Sequence, residues 1–135
     1  MWDTAGQETY QSITAPYFRS CNGVILVFDL TDRESFTKLG YWIDLIRDNT
    51  KETPIIFLVG NKVDVGQQSV TDAEVASFCS EHSFVFFKTS AVNGENVDEV
   101  VDRMIQQMVA ESHVRRESLH GVSIQAQEER SKGCC

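Results

Sequence analysis

Three short apolar runs, GVILVFDL (residues 23–30), PIIFLVGNK (54–62) and FVFFKTSA (84–91), constrain this chain more than anything else in it. They are rich in β-branched and aromatic residues and lack strict polar alternation, the pattern of strands covered on both faces. Each gives way to a loop and then to apolar residues at helical spacing. After the first, Thr31 and Glu34 form a capping-box signature ahead of Phe36, Leu39, Ile43 and Ile46. After the second, Thr71 and Glu74 repeat that signature, with Val75, Phe78 and Cys79 on one face. After the third, Asn96 with Glu99 is read as the cap of a helix. Its Val97, Val100, Val101, Met104, Ile105, Met108 and Val109 make a continuous apolar stripe, a spacing that belongs to core packing. This β-loop-α repetition predicts a doubly wound α/β domain with helices over a parallel sheet. Ligands in such folds sit beyond the carboxyl ends of the strands.

The chain's 135 residues suit one domain. Twenty acidic against twelve basic residues give a net charge of -8, which repels phosphate polymers and excludes a nucleic-acid surface. Cys21, Cys79, Cys134 and Cys135 match neither a disulfide framework nor a C-x-x-C metal site, which suits a reducing cytosol. No apolar run approaches the roughly 20 residues of a spanning helix, and no basic segment leads into an apolar one at the N-terminus. Beyond about Ser112 the apolar pattern dissolves into ESHVRRESLHGVSIQAQEERSKGCC, too polar to offset ordering entropy. Residues 112–135 are therefore expected to form a flexible tail.

The loops after the strands carry the candidate chemistry. NKVD, residues 61–64, closes the second run. Guanine presents two adjacent N–H donors on one edge, and a carboxylate such as Asp64 accepts both. Against adenine it would face an unpaired lone pair, which is costly in a partly dry pocket. Asn61 can bridge the purine's other edge and a neighbouring backbone segment, while the apolar stem of Lys62 can lie along a ring face. Four such letters are also common at a solvated strand exit. TSA, residues 89–91, one β-α unit later, has small side chains that let backbone N–H groups reach a base oxygen, and neighbouring parallel strands deliver both loops to one crevice. Near the start, WDTAGQE carries Asp3, a carboxylate suited to hold Mg2+ through water, Gly6, which lets backbone approach a terminal phosphate, and Gln7, whose amide is able to orient an attacking water. Asp3 or Thr4 also reads as a helix cap and Gly6 as a turn.

With WDTAGQE, YFRSC (17–21), NKVD and TSA in this order and spacing, the chain resembles the Rab family of Ras-like small GTPases from Trp2 to about Val109 and again at the terminal Cys-Cys. The resemblance implies a P-loop NTPase-like doubly wound sheet, the small G-protein fold, over residues 1–111. It implies GTP and GDP as nucleotides, Mg2+ as metal, and GTP hydrolysis as a switch in intracellular vesicle traffic. Asp3 looks like the metal-linked aspartate, Gly6 the amide that senses the γ-phosphate, Gln7 the catalytic glutamine, and Asn61, Lys62 and Asp64 the guanine reader, supported by Ser90 and Ala91. The segment from Ala5 to about Ser20 resembles the switch that partners read. Implied partners are Rab effectors, exchange and activating factors, the prenylation machinery and escort or dissociation-inhibitor proteins. Thr9, Lys88 and Val92 depart from the usual arginine, acidic residue and lysine.

The same resemblance carries two further expectations. No G-x-x-x-x-G-K-S/T motif precedes DTAG, so the fold is expected to be incomplete, lacking its first strands and phosphate-binding loop, as in an N-terminally truncated or partial gene product. GVILVFDL then becomes an apolar edge and a cause of poor solubility. The alternative reading is a non-catalytic interaction module that binds Rab partners without nucleotide. Cys134 and Cys135 look like a double geranylgeranylation signal, whose two lipids would hold the protein on the cytosolic face of endomembranes. From Glu111 onward, four basic residues (Arg115, Arg116, Arg130, Lys132) stand against four acidic (Glu111, Glu117, Glu128, Glu129), so this stretch adds no net attraction for anionic lipid.

Overall fold

The computed structural model describes the backbone of Met1 and residues 18–131, and the side chains of Met1 and residues 18–114. Each apolar run forms a strand: β1 (Gly23–Asp29), β2 (Ile55–Asn61) and β3 (Val85–Lys88). All pair in parallel in the order β1-β2-β3, with Gly23 opposite Ile55, Asp29 opposite Asn61 and Phe57 opposite Val85. Helices α1 (Arg33–Thr37) and α2 (Leu39–Asn49) follow β1, α3 (Asp72–His82) follows β2, and α4 (Val97–Ser131) follows β3. The architecture is therefore α/β, with helices on both faces of a parallel three-stranded sheet among the described residues.

Alternation along the strands divides the core in two. On one face Leu26, Phe28 and Leu58 pack with Leu30, with Leu39 and Ile43 of α2, and with Val70 and Val75 around α3. Phe36, Phe78, Phe84 and Phe86 border this cluster. On the other face Ile55, Phe57 and Val59 meet Val100 and Met104 of α4, with Ile25, Phe87 and Met108 alongside. Gly60 lets the strand ends close up: a Cβ there would lie 2.9 Å from Leu30 Cδ2 and 3.1 Å from Phe86 Cζ.

The helix starts differ from one another. Thr71 caps α3 as its sequence signature predicts: its hydroxyl accepts from Glu74 N, and the Glu74 carboxylate accepts from Thr71 N at 3.0 Å. At α1 the cap is Asp32 rather than Thr31. Thr31 donates its amide and hydroxyl to Asp29 Oδ1, which leaves Asp32 extended and accepting from Glu34 N at 2.9 Å. The helical pattern from Phe36 to Ile46 is also divided, with Lys38 as the junction between α1 and α2. Asn96 is no simple cap. Its backbone is left-handed, with φ 58°, and its side-chain amide donates to Lys88 O at 2.8 Å, tying the start of α4 to the end of β3.

One expectation for the last third of the chain is corrected. The stripe on α4 is wider than its covered face: Val100 and Met104 are buried, but Val97, Ile105 and Val109 stay partly exposed because α4 lies over β2 with its flank outward. The backbone from Ser112 to Ser131 is helical. That segment has no proline and carries three Glu, three Arg and two Gln, residues of good helix propensity that need no core. Among the described residues no helix is long and apolar enough to cross a membrane. Cys21 and Cys79 are free, and burial pushes both thiols above their ordinary range.

Candidate functional site

Parallel pairing brings the carboxyl ends of β1, β2 and β3, at Asp29, Asn61 and Lys88, to one edge of the sheet. The loops that leave β2 and β3 are stitched together there. Asn61 Oδ1 accepts from Ala91 N at 3.1 Å and from Thr89 Oγ1 at 3.3 Å. Thr89 N donates to Gly60 O at 2.9 Å, and Thr89 O accepts from Val63 N at 3.1 Å. NKVD and TSA thus form one unit, with the side chain of Asn61 as its bridge.

The bridge uses only the side-chain oxygen of Asn61. It also engages the Ala91 amide, which the sequence reading reserves for a base oxygen. Ser90 is fully buried, and its Oγ accepts from Val92 N and Asn93 N, each at 3.3 Å. Its carbonyl accepts from Gly94 N at 2.9 Å and its amide donates to Glu95 O at 3.1 Å. The hydroxyl of Ser90 therefore shapes the loop instead of facing the crevice.

At Lys62 the backbone turns left-handed, with φ 67°, a conformation uncommon for a lysine. The turn closes with Val65 N donating to Lys62 O at 3.1 Å, Val63 packs against the core, and Asp64 stays exposed. Lys62 Nζ reaches Asp29 Oδ2 at 2.6 Å. Burial alone would push the Asp29 carboxyl up, but the ammonium of Lys62 and the two donors of Thr31 outweigh it and hold the carboxyl below its ordinary range. The hydrogen bond and charge of Asp29, with smaller contributions from Asp32 and Asp64, hold the Lys62 ammonium above its ordinary value.

Sequence reasoning missed Asp29, Thr31 and the tether from Asn96. The D-x-T spacing at the end of β1 was the available signal, because a short carboxylate readily accepts from groups two residues on. Lys88, a departure from the Rab pattern, has a local partner: its ammonium lies 2.6 Å from Asp72 Oδ1 at the start of α3. Asp3, Gly6, Gln7, Cys134 and Cys135 lie outside the described residues, as does most of the 5–20 segment. Among the described residues no group of three or more His, Cys, Asp or Glu side chains could hold a metal ion. Of the residues expected to hold a nucleotide, Asn61, Lys62, Asp64, Ser90 and Ala91 lie among the described residues, and those assigned to its phosphates and metal do not.

A family model described as the Ras family matches residues 1–110. The chain belongs to that family of small GTPases, and the relatives it resembles are of Rab type. It is 35% identical over 121 residues to Ras-related protein RABA3 of Arabidopsis thaliana, covering 88% of this chain and 51% of the relative. It is 34% identical over 146 residues to GTP-binding protein YPT1 of Saccharomyces cerevisiae, covering all of this chain and 71% of the relative. Ras-related protein RabC of Dictyostelium discoideum is 34% identical over 136 residues, covering all of this chain and 69% of the relative. The chain spans 51% to 71% of the length of these curated relatives.

Proposed function

We propose that this chain carries the guanine-reading half of a Rab-type small GTPase, a protein that binds GTP and GDP, hydrolyses GTP and switches partners on endomembranes. The observation that carries the reading is the Asn61 bridge. Through it the loop bearing Asp64 and the loop bearing Ser90 and Ala91 form one rim beyond the strand ends. Asp64, exposed on that rim, accepts the two N–H donors of guanine; the Asn61 amide serves the purine's other edge, and the Lys62 stem lies along the ring.

Hydrolysis falls to Gln7, whose amide orients the attacking water, while Gly6 admits the γ-phosphate. Asp3 holds Mg2+ through water, and that ion, when bound, offsets phosphate charge. Rab effectors, exchange and activating factors read the segment from Ala5 to Ser20. Lipids on Cys134 and Cys135, added by the prenylation machinery, hold the protein on the membrane, and escort or dissociation-inhibitor proteins carry it through the cytosol.

The direct test is titration with GDP and ADP, of the 135-residue chain and of the chain joined to a G-x-x-x-x-G-K-S/T segment. GDP is expected to bind in preference to ADP, more tightly in the joined protein. Asp64→Ala is expected to erase at least about tenfold of that preference, because the site's selectivity depends on paired hydrogen bonds. Equal uptake of the two nucleotides would overturn the reading. Partner binding with no nucleotide uptake would favour the interaction-module alternative.

A further inference from the structure

We propose that Asp29 is a positioning residue for guanine recognition: by holding the Lys62 ammonium it keeps that charge off Asp64, the carboxylate that reads the base. The inference rests on the guanine-reading role proposed above and extends it to the first strand.

The motif contains a built-in conflict. Lys62 and Asp64 stand two residues apart on one turn, and the lysine has a long flexible stem. An ammonium placed on Asp64 would occupy the acceptors that guanine's two N–H groups require. Three carboxylates act on Lys62, those of Asp29, Asp32 and Asp64, yet the ammonium is in contact with Asp29 at 2.6 Å. Asp29 is built to win that competition. Its side chain is only 21% exposed, and its Oδ1 is pinned by Thr31 N at 2.8 Å and Thr31 Oγ1 at 2.7 Å. Its own amide donates to Ser35 Oγ at 3.0 Å. Oδ2 is thereby presented as a fixed acceptor at the end of β1, whereas Asp32 and Asp64 are exposed on loops. The pairing also draws the Lys62 stem from the β2 loop toward the end of β1, and Asp64 stays exposed.

If Asp29 loses its charge, the ammonium falls to the remaining carboxylates, Asp64 among them. The signature is therefore epistasis. Removing the lysine's charge should repair the damage, which no loss of fold would allow. Ligand-observed NMR titration of the 135-residue chain with GDP and with ADP, alongside thermal unfolding, decides it. Wild type is expected to prefer GDP. Asp29→Asn should weaken GDP by about fivefold, the upper end of what a partly exposed ion pair supplies, with ADP unchanged. Adding Lys62→Met to Asp29→Asn should return GDP binding to that of Lys62→Met alone.

An unchanged GDP-to-ADP ratio in Asp29→Asn overturns this inference alone, as does equal loss of both nucleotides without rescue by Lys62→Met. Uptake of neither nucleotide by wild type overturns the guanine reading and this inference with it. Should Asp29→Asn fail to fold, Thr31→Val releases one arm of the pin. A smaller loss of GDP is then expected, and no loss overturns the inference.

Discussion

The two faces of the sheet are covered in different ways. On the face of α1, α2 and α3, the apolar residues of the helices and those of the strands match in extent, and Leu39, Ile43 and Val75 are almost completely enclosed. On the other face one helix lies over β2, and its stripe overshoots the strands: Ile105 and Val109 are each 50% exposed, and Val27 of β1 is 55% exposed. Both helix surfaces look alike in the sequence. Periodicity tells which side of a helix is apolar, while the width of the covered strip is decided by how many strands the helix crosses.

Two isoleucines put that contrast to its severest test. Ile43, 1% exposed, fills the closed face, and Ile43→Ala should cost about 2–5 kcal/mol in urea unfolding, since it leaves a cavity. Ile105→Ala on the open flank should cost under about 1 kcal/mol by the same measurement, because water already reaches that side chain. Equal losses would break the comparison. A smaller effect is expected at Gly60, where the closed face meets the site. Gly60→Ala places a methyl against Leu30 and Phe86 and should cost about 1–3 kcal/mol from overpacking, read as a lowered midpoint of unfolding. The same variant should weaken GDP, since Asn61 is the next residue.

How far the sequence could be read follows the same division. The first two strands were legible almost to the residue, because runs such as IIFLVGN are apolar on both faces and end at a turn, whereas the third ends at Lys88, short of the TSA read as its end. The Thr71 box was legible because all its partners lie within four residues. The meeting of NKVD and TSA was legible in outline, from the rule that parallel strands deliver their loops to one edge. Its wiring was not. Thr31 looks equally like a helix cap and like a partner for Asp29, and in the fold it donates to Asp29 Oδ1. Asn96 looks like a cap until β3 offers it the Lys88 carbonyl. Ser90 reads as a ligand contact, yet only the closed loop shows its hydroxyl turned to the amides of Val92 and Asn93. The helix beyond Ser112 was missed because apolar periodicity detects packing, and a polar helix has none to detect.

The smallest expected effect concerns how the closed face is fastened at its rim. Arg33 of α1 pairs with the Glu74 carboxylate of α3 and donates to Ser69 O at 3.1 Å, so α1, α3 and the loop before α3 meet at one guanidinium. The Arg33 hydrogen bond first, then the donors of Thr71, lower the Glu74 carboxyl from 4.5 to about 2. The sign follows from linkage: a carboxyl whose folded value lies below its unfolded one stabilises the fold above the unfolded value, and that contribution fades as pH falls toward the folded one. Stability should therefore decline between about pH 4.5 and 2 by a part that Glu74→Gln removes, seen as a flatter dependence of the urea midpoint on pH. The pair is exposed, so salt should shrink the difference between wild type and variant. The open face has no counterpart among the described ion pairs, because α4 is joined to β3 by the neutral amide of Asn96. Asn96→Ala should accordingly lower stability by the same amount at pH 3 and pH 6, and a pH-dependent loss there would erase the distinction between the two attachments.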